Sequence, residues 1–307
     1  MSALDELNPP LPDDAPKAPK RAMDPPPEVN VPRGTKVPTT PLPKPDQPRV
    51  IVVANQKGGV GKTTSAVNIA VALAQGGLRV VLIDLDPQGN ASTAVGVDHR
   101  AGVPGTYEVL IGDQAIDQLF ADSPEADTLR VVPASIDLAA AELELVAIAG
   151  RERQLERAVD AYVAQGDVDY VILDCPPSLG LITVNAMVAA DELLVPIQCE
   201  YYALEGLSQL LRSIDLVKRG LNDSLELSTV LLTMFDARTR LASQVADEVR
   251  RHFPTETLDV VIPRSVRISE APGYGQSVLT YDPNSVGANM YRAAAAEIAQ
   301  RGTKGES

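Results

Sequence analysis

From Val50 onward, short apolar runs alternate with longer stretches whose apolar residues recur at helical spacing. Val50-Ile51-Val52-Val53-Ala54 is apolar at every position, and so is Val171-Ile172-Leu173. A strand apolar on both parities is buried on both faces, the situation of a parallel sheet covered by helices. The pattern predicts strands at 50–54, 79–83, 129–132, 169–173, 192–196, 228–232 and 258–262. It predicts helices over 62–75, 137–148, 151–165, 181–189, 204–218, 240–252 and 285–300. The expected fold is α/β: one doubly wound, mostly parallel sheet flanked by helices, with ligands at the carboxyl ends of its strands.

Residues 1–48 break this rhythm. They hold fourteen of the 25 prolines and almost no apolar run, so they bury too little surface to offset the entropy of ordering. The expected organisation is a disordered Pro-rich arm over 1–48, a folded domain over 49–301 and a flexible polar tail over 302–307. The arm suits a spacer or a docking segment.

Composition narrows the classes. The net charge is −14, yet residues 1–49 carry seven acidic and seven basic side chains, so the acid excess lies in the folded part. A uniformly basic nucleic-acid binder is excluded, and DNA would have to be held by a local basic patch. Two cysteines, Cys175 and Cys199, match no disulfide or metal spacing, which fits a cytoplasmic protein. No apolar run reaches the ~18 residues of a membrane span, and the polar, Pro-rich start is unlike a signal peptide.

The loop after the first strand carries the chemistry. It reads Lys57-Gly58-Gly59-Val60-Gly61-Lys62-Thr63-Thr64 and opens the helical pattern Ser65-Ala66-Val67-Asn68-Ile69-Ala70. Strand, Gly-rich loop and helix in that order make a phosphate-binding loop, so the fold expectation sharpens to the P-loop NTPase type. Backbone N–H groups at the helix start face the phosphates, and the Thr63 hydroxyl is placed to ligate Mg²⁺. Lys62 is enough to hold β- and γ-phosphates. The second lysine, Lys57, predicts a nucleotide switch completed by another subunit.

Acidic residues complete the site. The strand ending at Ile83 runs into Asp84-Leu85-Asp86-Pro87-Gln88-Gly89-Asn90, and another delivers Asp174 before Cys175-Pro176-Pro177. Such carboxylates hold the water shell of Mg²⁺ bridging the phosphates. Asp84 and Asp174 are expected to support the metal, and Asp86 to orient the attacking water. Gln88 and Asn90 suit either γ-phosphate contacts or a turn. Cys175 is expected to be a small buried residue.

With these motifs in hand, the chain resembles, over roughly residues 50–300, the ParA/Soj family of chromosome-partitioning ATPases, in the deviant Walker A class that includes MinD. The likeness rests on the loop at 57–64, Asp84-Leu-Asp-Pro-Gln-Gly-Asn90 and Asp174-Cys-Pro-Pro-Ser178. It continues through Thr233-Met-Phe-Asp-Ala-Arg-Thr239, Ile262-Pro-Arg-Ser-Val-Arg-Ile-Ser-Glu-Ala-Pro272 and Gly287-Ala-Asn-Met-Tyr-Arg292. The resemblance implies an ATP-bound homodimer in which Lys57 crosses to the partner's phosphates while Lys62 serves its own. It further implies binding to double-stranded DNA without sequence preference, nucleoid association, and hydrolysis stimulated by a ParB-type centromere-binding partner. The family adenine pocket maps to Thr233, Met234 and Pro263.

A basic cluster at Arg238, Arg240, Arg264 and Arg267 agrees with DNA binding, and family correspondence puts Arg238 and Arg267 first. The alternatives are a MinD-like or protein-cargo positioning ATPase and a metabolic enzyme using the same loop. The end, Ala293-Ala-Ala-Ala-Glu-Ile-Ala-Gln-Arg-Gly-Thr-Lys-Gly-Glu-Ser307, lacks the bulky apolar face of a membrane-seeking helix, so no membrane partner is expected.

Overall fold

Alternate residues of β1 (Arg49–Val53) serve two separate cores. Val50 and Val52 join one apolar cluster, while Ile51 and Val53 join the other. This is what a both-face apolar strand requires, because successive side chains point to opposite faces. In the computed structural model, residues 41–303 apart from 202 are described, all within one compact unit.

The remaining strands are β2 (Val80–Asp84), β3 (Ala121–Asp122), β4 (Leu129–Val132), β5 (Tyr170–Asp174), β6 (Glu192–Gln198), β7 (Glu226–Phe235) and β8 (Thr257–Pro263). They form one sheet in the order β3-β4-β2-β5-β1-β6-β7-β8. Every pairing is parallel except that of β3 with β4. The carboxyl ends of the parallel strands therefore share one edge.

One face is covered by α1 (Lys62–Gln75), α2 (Asn90–Ala94), α9 (Val266–Glu270), α10 (Val278–Tyr281) and α11 (Val286–Gly302). The other is covered by α3 (Thr106–Ile111), α4 (Leu138–Leu145), α5 (Gln154–Val163), α6 (Leu181–Ala189), α7 (Ala203–Gly220) and α8 (Arg240–His252). Both faces are packed with aliphatic side chains and alanine. The doubly wound expectation is met.

The departures have local causes. The helix expected from 151 starts as a 3-10 turn over Arg151–Arg153 and becomes α5 only at Gln154. There Asn185 Oδ1 accepts from the backbone N–H groups of Gln154 (3.1 Å) and Leu155 (3.3 Å). A side chain from α6 thus acts as the cap that the local sequence lacks. The elements β3, α2, α3, α9 and α10 are too short to show a period. Contacts from afar define α10: Ser277 Oγ and Thr280 Oγ1 donate to the buried Glu125 carboxylate at 2.6 and 2.7 Å. Val278 N–H donates to Asn68 Oδ1 at 2.9 Å.

Packing begins before the compositional boundary at 48. Leu42 N–H donates to Gly76 O at 2.9 Å, and Lys44 pairs with Asp169 at 3.0 Å. Of the expected arm and tail, residues 1–40 and 304–307 lie outside the described residues. Among the described residues, no helix is long and apolar enough to cross a membrane, and Cys175 and Cys199 are buried free thiols.

Candidate functional site

The loop between β1 and α1 depends on backbone that only glycine adopts easily. Gly59 and Gly61 have φ of 75° and 89°, in the left-handed region where a Cβ is strained. Gly61 is also the N-cap of α1, with no side-chain cap bond, so the first N–H groups of the helix remain open to an anion. Lys62 is 7% exposed, and its Nζ donates to Lys57 O at 3.1 Å. Burial lowers its pKa, and the nearby Asp174 opposes that fall. From β7, Thr233 Oγ1 donates to Val60 O at 2.8 Å and braces the loop.

Strand register brings the acids together. Asp84 and Asp174 are direct partners across β2 and β5, and both are fully buried. Asp84 is well held: Asp86 N–H reaches Oδ1 at 3.2 Å, while Ser92 N–H and Oγ reach Oδ2 at 2.8 and 2.7 Å. Burial still pushes its pKa up to about 6 against those hydrogen bonds. Asp174 is different, because neither carboxylate oxygen has a hydrogen-bond partner. Burial first, and the Asp84 charge second, raise it well above the usual range. The Thr63 hydroxyl eases that rise without closing a bond of normal geometry.

An orphaned buried carboxylate calls for a polar or cationic partner. Oxygen donors from Thr63, Asp84 and Asp174 suit Mg²⁺, which keeps several waters and takes only one or two carboxylates besides phosphate oxygens. Among the described residues no cluster of three His, Cys, Asp or Glu would cage a metal unaided. The donor set therefore fits a magnesium–phosphate complex.

Asp86 is 9% exposed and accepts from Gln88 N–H at 3.0 Å, while its carbonyl accepts from Gly89 N–H at 2.8 Å. This tight turn leads straight into α2. The side chains of Gln88 and Asn90 are exposed. A cavity of about 240 Å³ adjoins the site, between Thr63 and Thr64 of α1, Asn90 and Thr93 of α2, and Pro272 and Gln276.

Lys57 is turned to a partner that its sequence neighbourhood does not reveal. Its Nζ lies 3.2 Å from Glu200 Oε2, just beyond β6, and both side chains are exposed. Thr233, Met234 and Pro263 lie at the carboxyl ends of β7 and β8. Met234, with φ 50°, is the one non-glycine residue among those described in the left-handed region.

The two arginine segments meet. β7 pairs with β8 through Phe235 and Pro263, and Arg264 N–H donates to Phe235 O at 3.1 Å. Arg238, Arg240, Arg264 and Arg267 are all exposed at this edge. Arg238 is forked onto Asp236, with Nε–Oδ1 at 2.9 Å and Nη2–Oδ2 at 2.8 Å. Those bonds hold the Asp236 carboxyl down at about 2. Arg267 pairs with Glu270 at 3.3 Å and Asp282 at 3.4 Å. Sequence reading missed Ser92, Glu200 and these acidic partners, although the Asp236/Arg238 spacing was open to inspection.

Fold and site together define a P-loop ATPase of the doubly wound class. A family model described as an AAA domain matches residues 48–227. The sporulation initiation inhibitor protein Soj of Bacillus subtilis is 49% identical over 255 residues, covering 83% of this chain and 99% of that protein. The chromosome partitioning protein ParA of Myxococcus xanthus is 49% identical over 256 residues, covering 83% and 89%. Among solved structures, a cobyrinic acid a,c-diamide synthase from Mycobacterium smegmatis with bound ADP and magnesium has a TM-score of 0.71 at 39% identity, covering 83% of this chain and 95% of that one. The Pyrococcus furiosus cell division ATPase MinD has a TM-score of 0.67 at 26% identity, covering 82% and 99%. The chain belongs to the ParA/Soj family of chromosome-partitioning ATPases.

Proposed function

We propose that this ATPase is a dimerising switch whose ATP form binds duplex DNA without sequence preference, on the nucleoid in the cytoplasm. A ParB-type partner stimulates hydrolysis and so releases it. The domain from 49 to 301 carries the switch. Lys62 and the loop amides bind the β- and γ-phosphates, and Asp86 orients the attacking water. Lys57 leaves Glu200 and reaches the phosphates of the partner subunit, which links nucleotide state to assembly state. A magnesium ion at Thr63, Asp84 and Asp174 would neutralise charge on the phosphate oxygens. Thr233, Met234 and Pro263 border the base.

The observation that carries this reading is the meeting of Arg238 and Arg240 with Arg264 and Arg267 at the edge of the sheet that also bears the phosphate loop. Exposed arginines there suit the phosphate backbone and favour no base. The test is a titration of labelled duplex DNA with ATP or ADP at several salt concentrations. Binding should require ATP and weaken steeply with salt. Equal affinity in both nucleotides would refute the switch, and recruitment to liposomes would favour a MinD-like role instead.

A further inference from the structure

The basic face is nearly cancelled by carboxylates of the same chain. Arg238, Arg240, Arg264 and Arg267 stand against Asp236, Glu270 and Asp282, leaving one formal positive charge per subunit. The acids are also in contact. The Asp236 fork occupies Nε and Nη2 of Arg238, one of the donor pairs that a guanidinium offers to a phosphate. Glu270 accepts from Nη1 of Arg267 at 3.3 Å, and Asp282 forms an ion pair 3.4 Å from its Nε. Among the described residues, Arg240 and Arg264 have no ion pair, so the two arginines ranked first for DNA are the two held back.

We propose that Asp236, with Glu270 and Asp282, competes with DNA phosphate for Arg238 and Arg267 and so sets DNA affinity low enough for release. This rests on the DNA-binding reading above and names what regulates that surface. A phosphate taking the same fork of Arg238 must displace Asp236, and one on the remaining N–H groups sits beside the Asp236 charge. One subunit then grips DNA weakly, and a dimer that presents two such faces grips usefully. Because exposed ion pairs are weak, the acids act as a tunable brake rather than a lock. The same acid also shapes the loop: Asp236 Oδ1 accepts from Arg238 N–H at 3.1 Å. An asparagine keeps that oxygen and loses the charge and the Oδ2 acceptor that Arg238 Nη2 uses.

The experiment is fluorescence anisotropy with labelled duplex DNA, the full chain and a non-hydrolysable ATP analogue, across a salt series. Asp236→Asn should bind roughly threefold to tenfold more tightly near physiological salt, with a log–log salt slope steeper by about one to two per dimer. Adding Arg238→Ala should erase that gain. Asp282→Asn, acting on Arg267, should also tighten binding and serves if Asp236→Asn folds poorly. Basal ATP turnover should stay unchanged in Asp236→Asn and in Asp282→Asn. Wild-type affinity and slope in both acid variants would overturn the proposal while leaving DNA binding intact. A gain that survives Arg238→Ala would overturn the Arg238 assignment. Absence of binding by the wild type and by both variants would sink this proposal and the DNA reading together.

Discussion

Ser92 donates to one oxygen of Asp84 twice, through its backbone N–H at 2.8 Å and its hydroxyl at 2.7 Å. Its Oγ also accepts from Ala134 N–H at 3.2 Å. A single buried hydroxyl therefore ties the acidic loop, α2 and the end of β4 together. Ser92→Ala leaves a carboxylate and an amide under-satisfied, and should cost about 1–3 kcal/mol. Urea unfolding checks the stability; ATP turnover should fall as well, because the loop carrying Asp86 loses its anchor.

One acid and two lysines should separate by phenotype. Lys62→Ala should abolish productive ATP binding, measured with a fluorescent ATP analogue. Asp86→Ala should keep ATP-induced dimerisation and DNA association while blocking phosphate release. Lys57→Ala should keep ATP binding to the single subunit but show the same mass in ATP and ADP by light scattering. Wild-type dimerisation in Lys57→Ala would remove the crossing lysine from the mechanism.

Arg49 and Glu192 give a prediction about acid stability. The guanidinium forks onto the carboxylate at 2.6 and 2.7 Å and donates to Ile298 O at 2.6 Å, joining β1, β6 and α11. Both side chains are largely buried. Burial pushes the Glu192 pKa up, but the Arg49 hydrogen bonds and charge outweigh it and hold the group below its ordinary 4.5. A depressed folded-state pKa means the stabilisation is present above pH 4.5 and is lost as pH falls through the lower folded value. Arg49→Ala strands a buried carboxylate and should cost about 3 kcal/mol at neutral pH. That deficit should shrink below pH 4.5 in chemical denaturation.

Two glycines with similar backbones should respond differently to alanine. Gly96 has φ 70°, and a Cβ there would lie 3.0 Å from Gly275 O and 3.1 Å from Pro124 Cγ. Gly77 has φ 91° with nothing within 4 Å of an added Cβ. Gly77→Ala should cost only the left-handed strain, about 1–2 kcal/mol. Gly96→Ala adds a collision with backbone and should melt lower still. Equal melting temperatures for the two variants would contradict the close approach of α2 to the turn at Gly275.

What the chain's text determined by itself was everything governed by nearest neighbours. The apolar β1 and β5, the glycines of the phosphate loop and the long helices α1, α8 and α11 were readable because period and turn chemistry act over a few residues. So were Lys62, Thr63 and the acids at the carboxyl ends of the strands. Only tertiary structure decided the rest. Registering β2 against β5 sets Asp84 beside Asp174 in a dry interior; burial raises both carboxyls, and the Asp84 charge adds to the rise at Asp174. Folding brings Glu200 to Lys57 and Thr233 to Val60, and the pairing of β7 with β8 makes one basic edge from two separate segments. The short α10 exists because Glu125 and Asn68 hold its start, not because of its own four residues. Burial, charge coupling and hydrogen bonds across such separations depend on distance in space, which local pattern does not encode.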